Sequence, residues 1–242
     1  AIVGVQNVNL NPYKVLEKNV LLQLASLKIA KSQKNLKKFI FSSTSEIYSG
    51  SLINNLIKFP TPEDNLICLN KLDNPRYTYM LSKIYGEAIC NFSNIPYVIV
   101  RLHNIYGPRM GTQHVIPQWI IKIFKQKKNH VYHIENPEHS RTFCYIDDAV
   151  NMIKKVALSN KKNMTVNIGN SKPEIKIKKL VKIIFKIIGK KNFHLKLKKI
   201  NNFSPKRRAP NINKFISNFK YKSEVSLVEG INKTLLWYKK RI

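Results

Sequence analysis

The stretch Tyr79-Met80-Leu81-Ser82-Lys83-Ile84-Tyr85-Gly86-Glu87-Ala88-Ile89-Cys90-Asn91-Phe92, followed past Pro96 by Tyr97-Val98-Ile99-Val100-Arg101, decides the fold. Its first part has helical apolar spacing and its second reads as a buried strand. Upstream, Lys37-Lys38-Phe39-Ile40-Phe41-Ser42 reads as another short buried strand. Strand, helix, strand at this spacing is a βαβ unit, which implies a parallel sheet. Within the helix, Tyr79 and Lys83 stand four residues apart on one face, with Cβ atoms about 5–6 Å apart. A phenol beside an ammonium is a candidate general base. To act near neutrality its pKa must fall by about three units, roughly 4 kcal/mol. One positive charge at about 4 Å, at an effective dielectric near 20, supplies a term of that size. Taken alone, the pair is more often the pattern of two surface residues that share a helix face.

Working outward, Asn11-Pro12 opens a helical pattern to about Ala30, with Val15, Leu16, Val20, Leu24 and Leu27 on one stripe and Asn19 among them. The strand at 37–42 ends in the hydroxyl-rich cluster Ser43-Thr44-Ser45-Glu46. That is the carboxyl edge of a sheet, where open α/β folds place ligands, or a turn rich in Ser and Thr. Residues 49–76, with Pro60, Pro62 and Pro75, read as a long loop that is either an active-site wall or a small excursion. His103-Asn104-Ile105-Tyr106-Gly107-Pro108-Arg109 follows the second strand, again at a carboxyl end. Beyond it come a helix from His114-Val115-Ile116-Pro117 to about Lys127, strands near 131–134 and 141–146, and a helix capped by Asp147-Asp148 that runs to about Leu158. A strand at Met164 to Ile168, an amphipathic helix from Ile175 to Gly189 and a strand near Phe193 to Leu197 follow. The basic turn Lys206-Arg207-Arg208-Ala209-Pro210 and a helix from about Leu227 to Tyr238 complete the chain.

Composition sets limits on function. The formal charge is +30, from 43 Lys and Arg against 13 Asp and Glu. An excess of this size normally suggests nucleic acid or an anionic surface. Only seven residues are Arg, however, and the Lys is spread evenly along the chain. Phosphate and base recognition favours Arg forks interleaved with aromatics, so the expectation is no specific nucleic-acid partner, only salt-sensitive polyanion binding. No apolar run reaches the roughly 18 residues of a membrane span. Cys68, Cys90 and Cys144 show no metal or redox spacing and read as reduced thiols of a cytoplasmic protein.

Six ordered motifs, taken together, resemble a known family. They are Phe41-Ser42-Ser43-Thr44-Ser45-Glu46-Ile47-Tyr48; Tyr79-x-x-x-Lys83 with Gly86-Glu87; Arg101-Leu102-His103-Asn104-Ile105-Tyr106-Gly107-Pro108-Arg109; Arg141-Thr142-Phe143-x-Tyr145-Ile146-Asp147-Asp148; Asn167-Ile168-Gly169-Asn170; and Arg207-Arg208-Ala209-Pro210. In this order they resemble the extended short-chain dehydrogenase/reductases and, more narrowly, the NAD-dependent sugar-nucleotide epimerase/dehydratase family. The resemblance implies a Rossmann-type doubly wound parallel sheet with a smaller α/β substrate domain. Residues 1–107 would form the remainder of the NAD-binding domain and residues 108–242 mainly the substrate domain, with about 147–170 returning to the first sheet. It also implies a homodimer that pairs the 11–30 and 77–92 helices.

By the same resemblance, Thr44 matches the hydroxyl that meets the sugar's reacting hydroxyl. Tyr79 matches the base, and Lys83 the residue that binds the nicotinamide ribose and lowers the Tyr pKa. Asn19, Ser42 and Ser43 fall with Tyr79 and Lys83 at the NAD cofactor. Asn104, Arg109, Arg141, Arg208 and, more weakly, His114 fall at a nucleoside-diphosphate sugar, where guanidinium forks suit the diphosphate. Asp147 and Asp148 read as cap and scaffold. Thr44-Ser45-Glu46 is similar to the Thr-Ser-Glu of UDP-glucuronate decarboxylases, whereas the dehydratases have Asp at the middle position. Glu46 is therefore a catalytic candidate. The implied reaction goes through a 4-keto sugar that loses carbon dioxide, with UDP-sugar 4-epimerisation as the alternative.

The chain departs from the family at its front. No Gly-x-x-Gly-x-x-Gly turn for the NAD pyrophosphate occurs in the 242 residues, nor does the acidic residue expected at the adenosine ribose. About 70–80 residues of βαβαβα have no counterpart. A truncated gene fragment is the reading favoured here over a partial sequence or a degenerate paralogue. It carries the expectation of weak or no NAD binding and an exposed sheet edge. Smaller departures are Leu102, where an aromatic is common, and Asn211, where Asp follows the Arg-x-Pro pattern. A non-catalytic structural remnant and a polyanion-binding module are the rival classes.

Overall fold

The computed structural model describes residues 1–69, 72–126, 130–191, 193–200 and 204–241. The first half contains α1 (Val5–Leu10), α2 (Pro12–Lys31), β1 (Phe39–Thr44), a 3-10 turn (Ser45–Tyr48), α3 (Ser49–Ile53), α4 (Arg76–Asn91), β2 (Tyr97–Leu102) and β3 (Ile105–Tyr106). The second contains α5 (Val115–Lys125), β4 (Val131–Glu135), β5 (Ser140–Arg141), β6 (Cys144–Tyr145), α6 (Ile146–Leu158), β7 (Met164–Ile168) and β8 (Ile175–Lys176). It ends with α7 (Ile177–Ile188), β9 (His194–Lys198), β10 (Arg207–Arg208), α8 (Asn213–Phe219) and α9 (Leu227–Lys239).

β1, β2 and β7 form a parallel sheet in the order β1-β2-β7, as the βαβ spacing requires. Thr44 pairs with Leu102 and Leu102 with Ile168, so the three carboxyl ends lie level. Among the described residues β1 has a strand neighbour only on its β2 side. α4 and α2 cover one face, where Phe41, Cys90 and Ile99 pack. α6 and α8 cover the other, through Val98, Val100, Met152, Val166 and Phe215. Helices on both faces of a parallel sheet are the doubly wound arrangement. α8 is an element the sequence pattern did not suggest.

A second core gathers Trp119, Ile120, Tyr132, Phe185 and Ile231 between α5, α7, α9 and the parallel pair β4-β9. Tyr132 meets the Phe185 ring edge-on at 4.9 Å between centroids, a geometry that adds about 1 kcal/mol to burial alone. The short pair β3-β6 and the three-stranded set β10-β5-β8 complete the strand pairing. In that set Arg208 pairs with Arg141.

Several expectations shift. The strand expected from Lys37 begins at Phe39, and the one expected at 141–146 splits into β5 and β6. α4 starts three residues before Tyr79, at Arg76. The loop at 49–76 opens with the 3-10 turn's successor α3, and its Thr61 exchanges backbone bonds with Ala209 and Asn211. The expected end of the helix at Lys127 lies outside the described residues. The inward stripe of α2 is Val15, Asn19, Gln23, Leu27 and Ala30, while Leu24 faces solvent. The rotation has a local cause. A Cβ on Gly86 of α4 would stand 2.2 Å from the Phe41 ring and 2.5 Å from Gln23 Oε1, so the bare glycine lets α4, α2 and β1 close up around Gln23. Asp147 and Asp148 sit in the first turn of α6, yet neither side chain caps it. Asp148 instead accepts the Tyr221 hydroxyl and the Glu224 and Val225 amides, which fixes the chain ahead of α9. Among the described residues no helix is long and apolar enough to cross a membrane.

Candidate active site

A cavity of about 460 Å3 opens beside the carboxyl end of the parallel sheet. Its walls come from the end of β1, the start of α4, the segment after β2, the start of α5, and β5 with β10. Thr44, Glu46, Tyr79, Asn104, His114, Arg141 and Arg208 all line it. Motifs spread over 165 positions therefore meet in one place.

Thr44 is the last extended residue of β1 and caps the 3-10 turn, its Oγ1 accepting the Glu46 amide at 3.2 Å. Its own hydroxyl lines the cavity beside the Tyr79 phenol. Tyr79 is half-buried on α4, and Lys83 Nζ stands 5.8 Å from the centre of its ring. The Lys83 ammonium is buried and donates to the Ser42 carbonyl at 2.7 Å. The expected acidified phenol is not what the chain's own groups produce. Burial pushes Tyr79 up to about 12; the Thr44 hydrogen bond opposes this and the Glu46 charge adds to it. The ammonium is aimed at a carbonyl and not at the phenol oxygen.

Glu46 is held by two arginines. Arg208 donates to its two oxygens at 2.6 and 3.0 Å, Arg76 reaches them at 3.2–3.3 Å, and Ser49 donates at 3.1 Å. Burial alone would raise this carboxyl, but the charges of Arg208 and Arg76 hold it well below the usual carboxylate range. Glu46 is thus held as an anion between arginines. Arg141 is buried and, among the described residues, donates to neutral oxygens, those of Ser140, Ser204, Pro205 and Lys206. Burial, together with the neighbouring Arg208, pushes its guanidinium down to about 9. Asn104, at φ 44°, is a lining residue, and its Nδ2 is buried without a hydrogen-bond partner among the described residues.

Other expected site residues stand apart. Asn19 spends its amide on the Ile2 backbone, accepting at 2.6 Å and donating at 3.0 Å, so it staples the start of the chain to α2. Ser43 is buried and donates to Glu87 at 2.5 Å, so its side chain faces the core; Ser42 is exposed on the opposite face of the strand. Arg109 is exposed and does not line the cavity, and His114 lies exposed at its mouth. Glu87 continues inward to Arg101, at 2.7 and 3.0 Å, and Arg101 to Tyr48 at 2.5 Å. Tyr48 and His103 both meet the Asn167 amide oxygen.

The family model of the NAD dependent epimerase/dehydratase family matches residues 1–169. The chain belongs to that family. It is 28% identical to a dTDP-D-glucose 4,6-dehydratase of Dictyostelium discoideum, over 93% of this chain and 60% of that protein. It is also 28% identical to UDP-glucuronic acid decarboxylase 1 of Xenopus tropicalis, over 96% of this chain and 53% of the relative. The chain thus spans between half and two thirds of these relatives' length. A solved UDP-glucuronic acid 4-epimerase from Bacillus cereus, in complex with UDP-glucuronic acid and NAD, superposes with a TM-score of 0.83 and 25% identity, over all of this chain and 74% of that one. The Rossmann-type α/β architecture is therefore shared with NAD-dependent epimerases.

Sequence reasoning overlooked Arg76 and the lining supplied by Val3, Gly4 and Val8 at the front of the chain. For Arg76 a signal was present. In a Lys-dominated chain with seven Arg, this one precedes Tyr79 by one helical turn. For residues 3–8 there was none, since a short helix over an edge leaves no period to read.

Proposed function

We propose that this protein acts on a nucleoside-diphosphate sugar with NAD, in the manner of a UDP-glucuronate decarboxylase. One observation carries the reading: Thr44 and Tyr79 share a cavity with the register-paired Arg141 and Arg208. A hydroxyl and phenol that meet a sugar alcohol thus lie opposite guanidiniums suited to a diphosphate. Thr44 orients the 4-hydroxyl and Tyr79 takes its proton. Oxidation at C4 turns a uronate into a β-keto acid, whose C5–C6 bond breaks as carbon dioxide leaves and its electron pair passes to the carbonyl. Tyr79 then returns its proton to C5 of that enolate, which leaves a 4-keto pentose.

The fit to the cofactor rests on Lys83, whose buried ammonium has one hydrogen bond among the described residues and so offers two N–H groups to a ribose. NAD bound beside it supplies the hydride acceptor and, when oxidised, a positive charge that offsets the upward shift of Tyr79. The pyrophosphate has no glycine-rich turn in these 242 residues, so calorimetry with this chain should show weak NAD binding. The likeness to the Bacillus cereus 4-epimerase favours a second reading, in which the keto sugar turns over and is reduced on its other face. UDP-glucuronate incubated with the protein at millimolar NAD separates the two. Carbon dioxide release supports the first reading, and epimerised UDP-hexuronate without gas evolution refutes it. In either case Tyr79→Phe should lower turnover by about 10^2–10^4-fold. The protein is further proposed to work in the cytoplasm as a homodimer through α2 and α4.

A further inference from the structure

Arg76 opens α4 three residues before Tyr79, so both side chains leave the same helix face, and both line the cavity. It shares Glu46 with Arg208, but unequally. Arg208 forks onto both oxygens at 2.6 and 3.0 Å, and Ser49 takes Oε2 as well, whereas Arg76 comes no closer than 3.2 Å. Its side chain is 26% exposed against 7% for Arg208. Glu46 is therefore the partner of Arg208 first. Arg141, which among the described residues meets neutral acceptors only, is the other cavity arginine without a short carboxylate contact. The two stand on different walls. Arg141 lies in register with Arg208 on the β5–β10 side, and Arg76 is on the catalytic helix. Among the described residues that line the cavity, Glu46 is the only acid, against three arginines, so two positive charges are in excess there.

We propose that Arg76 is a specificity-determining residue that binds a carboxylate on the reacting sugar and so selects acidic nucleotide sugars over neutral ones. This rests on the nucleotide-sugar reading of the cavity. A C6 carboxylate is two bonds from C4, so a sugar whose 4-hydroxyl meets Thr44 and Tyr79 holds that group within a few ångströms of them. Arg76 rises from the adjoining turn of the same helix, a step of about 5 Å. It exchanges its longer contacts with Glu46 for a charge-assisted fork on the ligand, while Arg208 keeps Glu46 paired.

Calorimetry of UDP, UDP-glucose and UDP-glucuronate with wild type, Arg76→Met and Arg76→Lys tests this. Wild type should bind UDP-glucuronate about tenfold more tightly than UDP-glucose, the size of one charge-assisted contact. Arg76→Met should bring that ratio close to one, and Arg76→Lys, which keeps the charge without the fork, should hold part of it. Should Arg76→Met fail to fold, Arg76→Lys decides by a severalfold fall in the ratio. A wild type without preference, or variants with the wild-type ratio, overturns the role of Arg76 while UDP binding upholds the nucleotide-sugar reading. A wild type that binds no UDP overturns both.

Discussion

Tyr79 and His103 show how far a residue's surroundings move its chemistry. Both are shifted mainly by burial, Tyr79 up to about 12 and His103 down to about 3. For His103, Arg208 and Arg101 add to the burial effect, and the hydrogen bond to Asn167 opposes it. The histidine is therefore neutral in the fold, with Nε2 at 3.0 Å from the Asn167 oxygen. Its folded pKa lies below the unfolded value near 6.5, so the unfolded chain binds a proton that the folded one refuses. The penalty is absent above pH 6.5 and grows as pH falls toward 3, by up to about 1.4 kcal/mol per pH unit. Urea midpoints measured from pH 7 to pH 4 should therefore decline more steeply for wild type than for His103→Gln. Parallel slopes would contradict a neutral His103.

At the scale of elements, the chain uses lysine to end helices. Lys38, just ahead of β1, sends its ammonium to the carbonyls of Val156, Ser159 and Lys161, where α6 stops. Terminal carbonyls otherwise lack partners, and a cation there also meets the negative end of the helix dipole. Lys190 does the same for α5, through Ile123 and Gln126. Because Lys38 is only half-buried, solvent takes over part of its work when it is removed. Lys38→Met should cost about 1–2 kcal/mol in chemical unfolding, whereas Lys37→Met, at an exposed neighbour, should stay within about 0.5 kcal/mol. Equal effects at the two positions would show that the cap contributes nothing.

For the whole molecule, the α2–α4 pair carries exposed apolar side chains. Leu22 and Ile29 on α2 are exposed seven residues apart, as are Tyr85 on α4 and Phe92 at its end. Seven-residue spacing keeps each pair on one stripe. Exposed apolar residues at this spacing are consistent with the proposed homodimer. Sedimentation should give a dimer for wild type and a monomer for Leu22→Glu combined with Phe92→Glu. A wild-type monomer at micromolar concentration would end that proposal.

The sequence by itself determined the βαβ unit, the parallel sheet and the shared face of Tyr79 and Lys83, because these follow from periods of two and 3.6 residues along the chain. It also marked Thr44, Arg141 and Arg208, through motifs whose order survives substitution around them. Only the tertiary structure decided what those groups face. Glu46 meets Arg208 across 162 positions, Asn19 and Ser43 turn to the interior, and Arg109 stays outside. Tyr79 is pushed up because half-burial removes water from the phenolate while the nearest ammonium turns to a carbonyl. Neither burial nor the aim of a flexible side chain is written in local spacing; both exist only once distant segments pack.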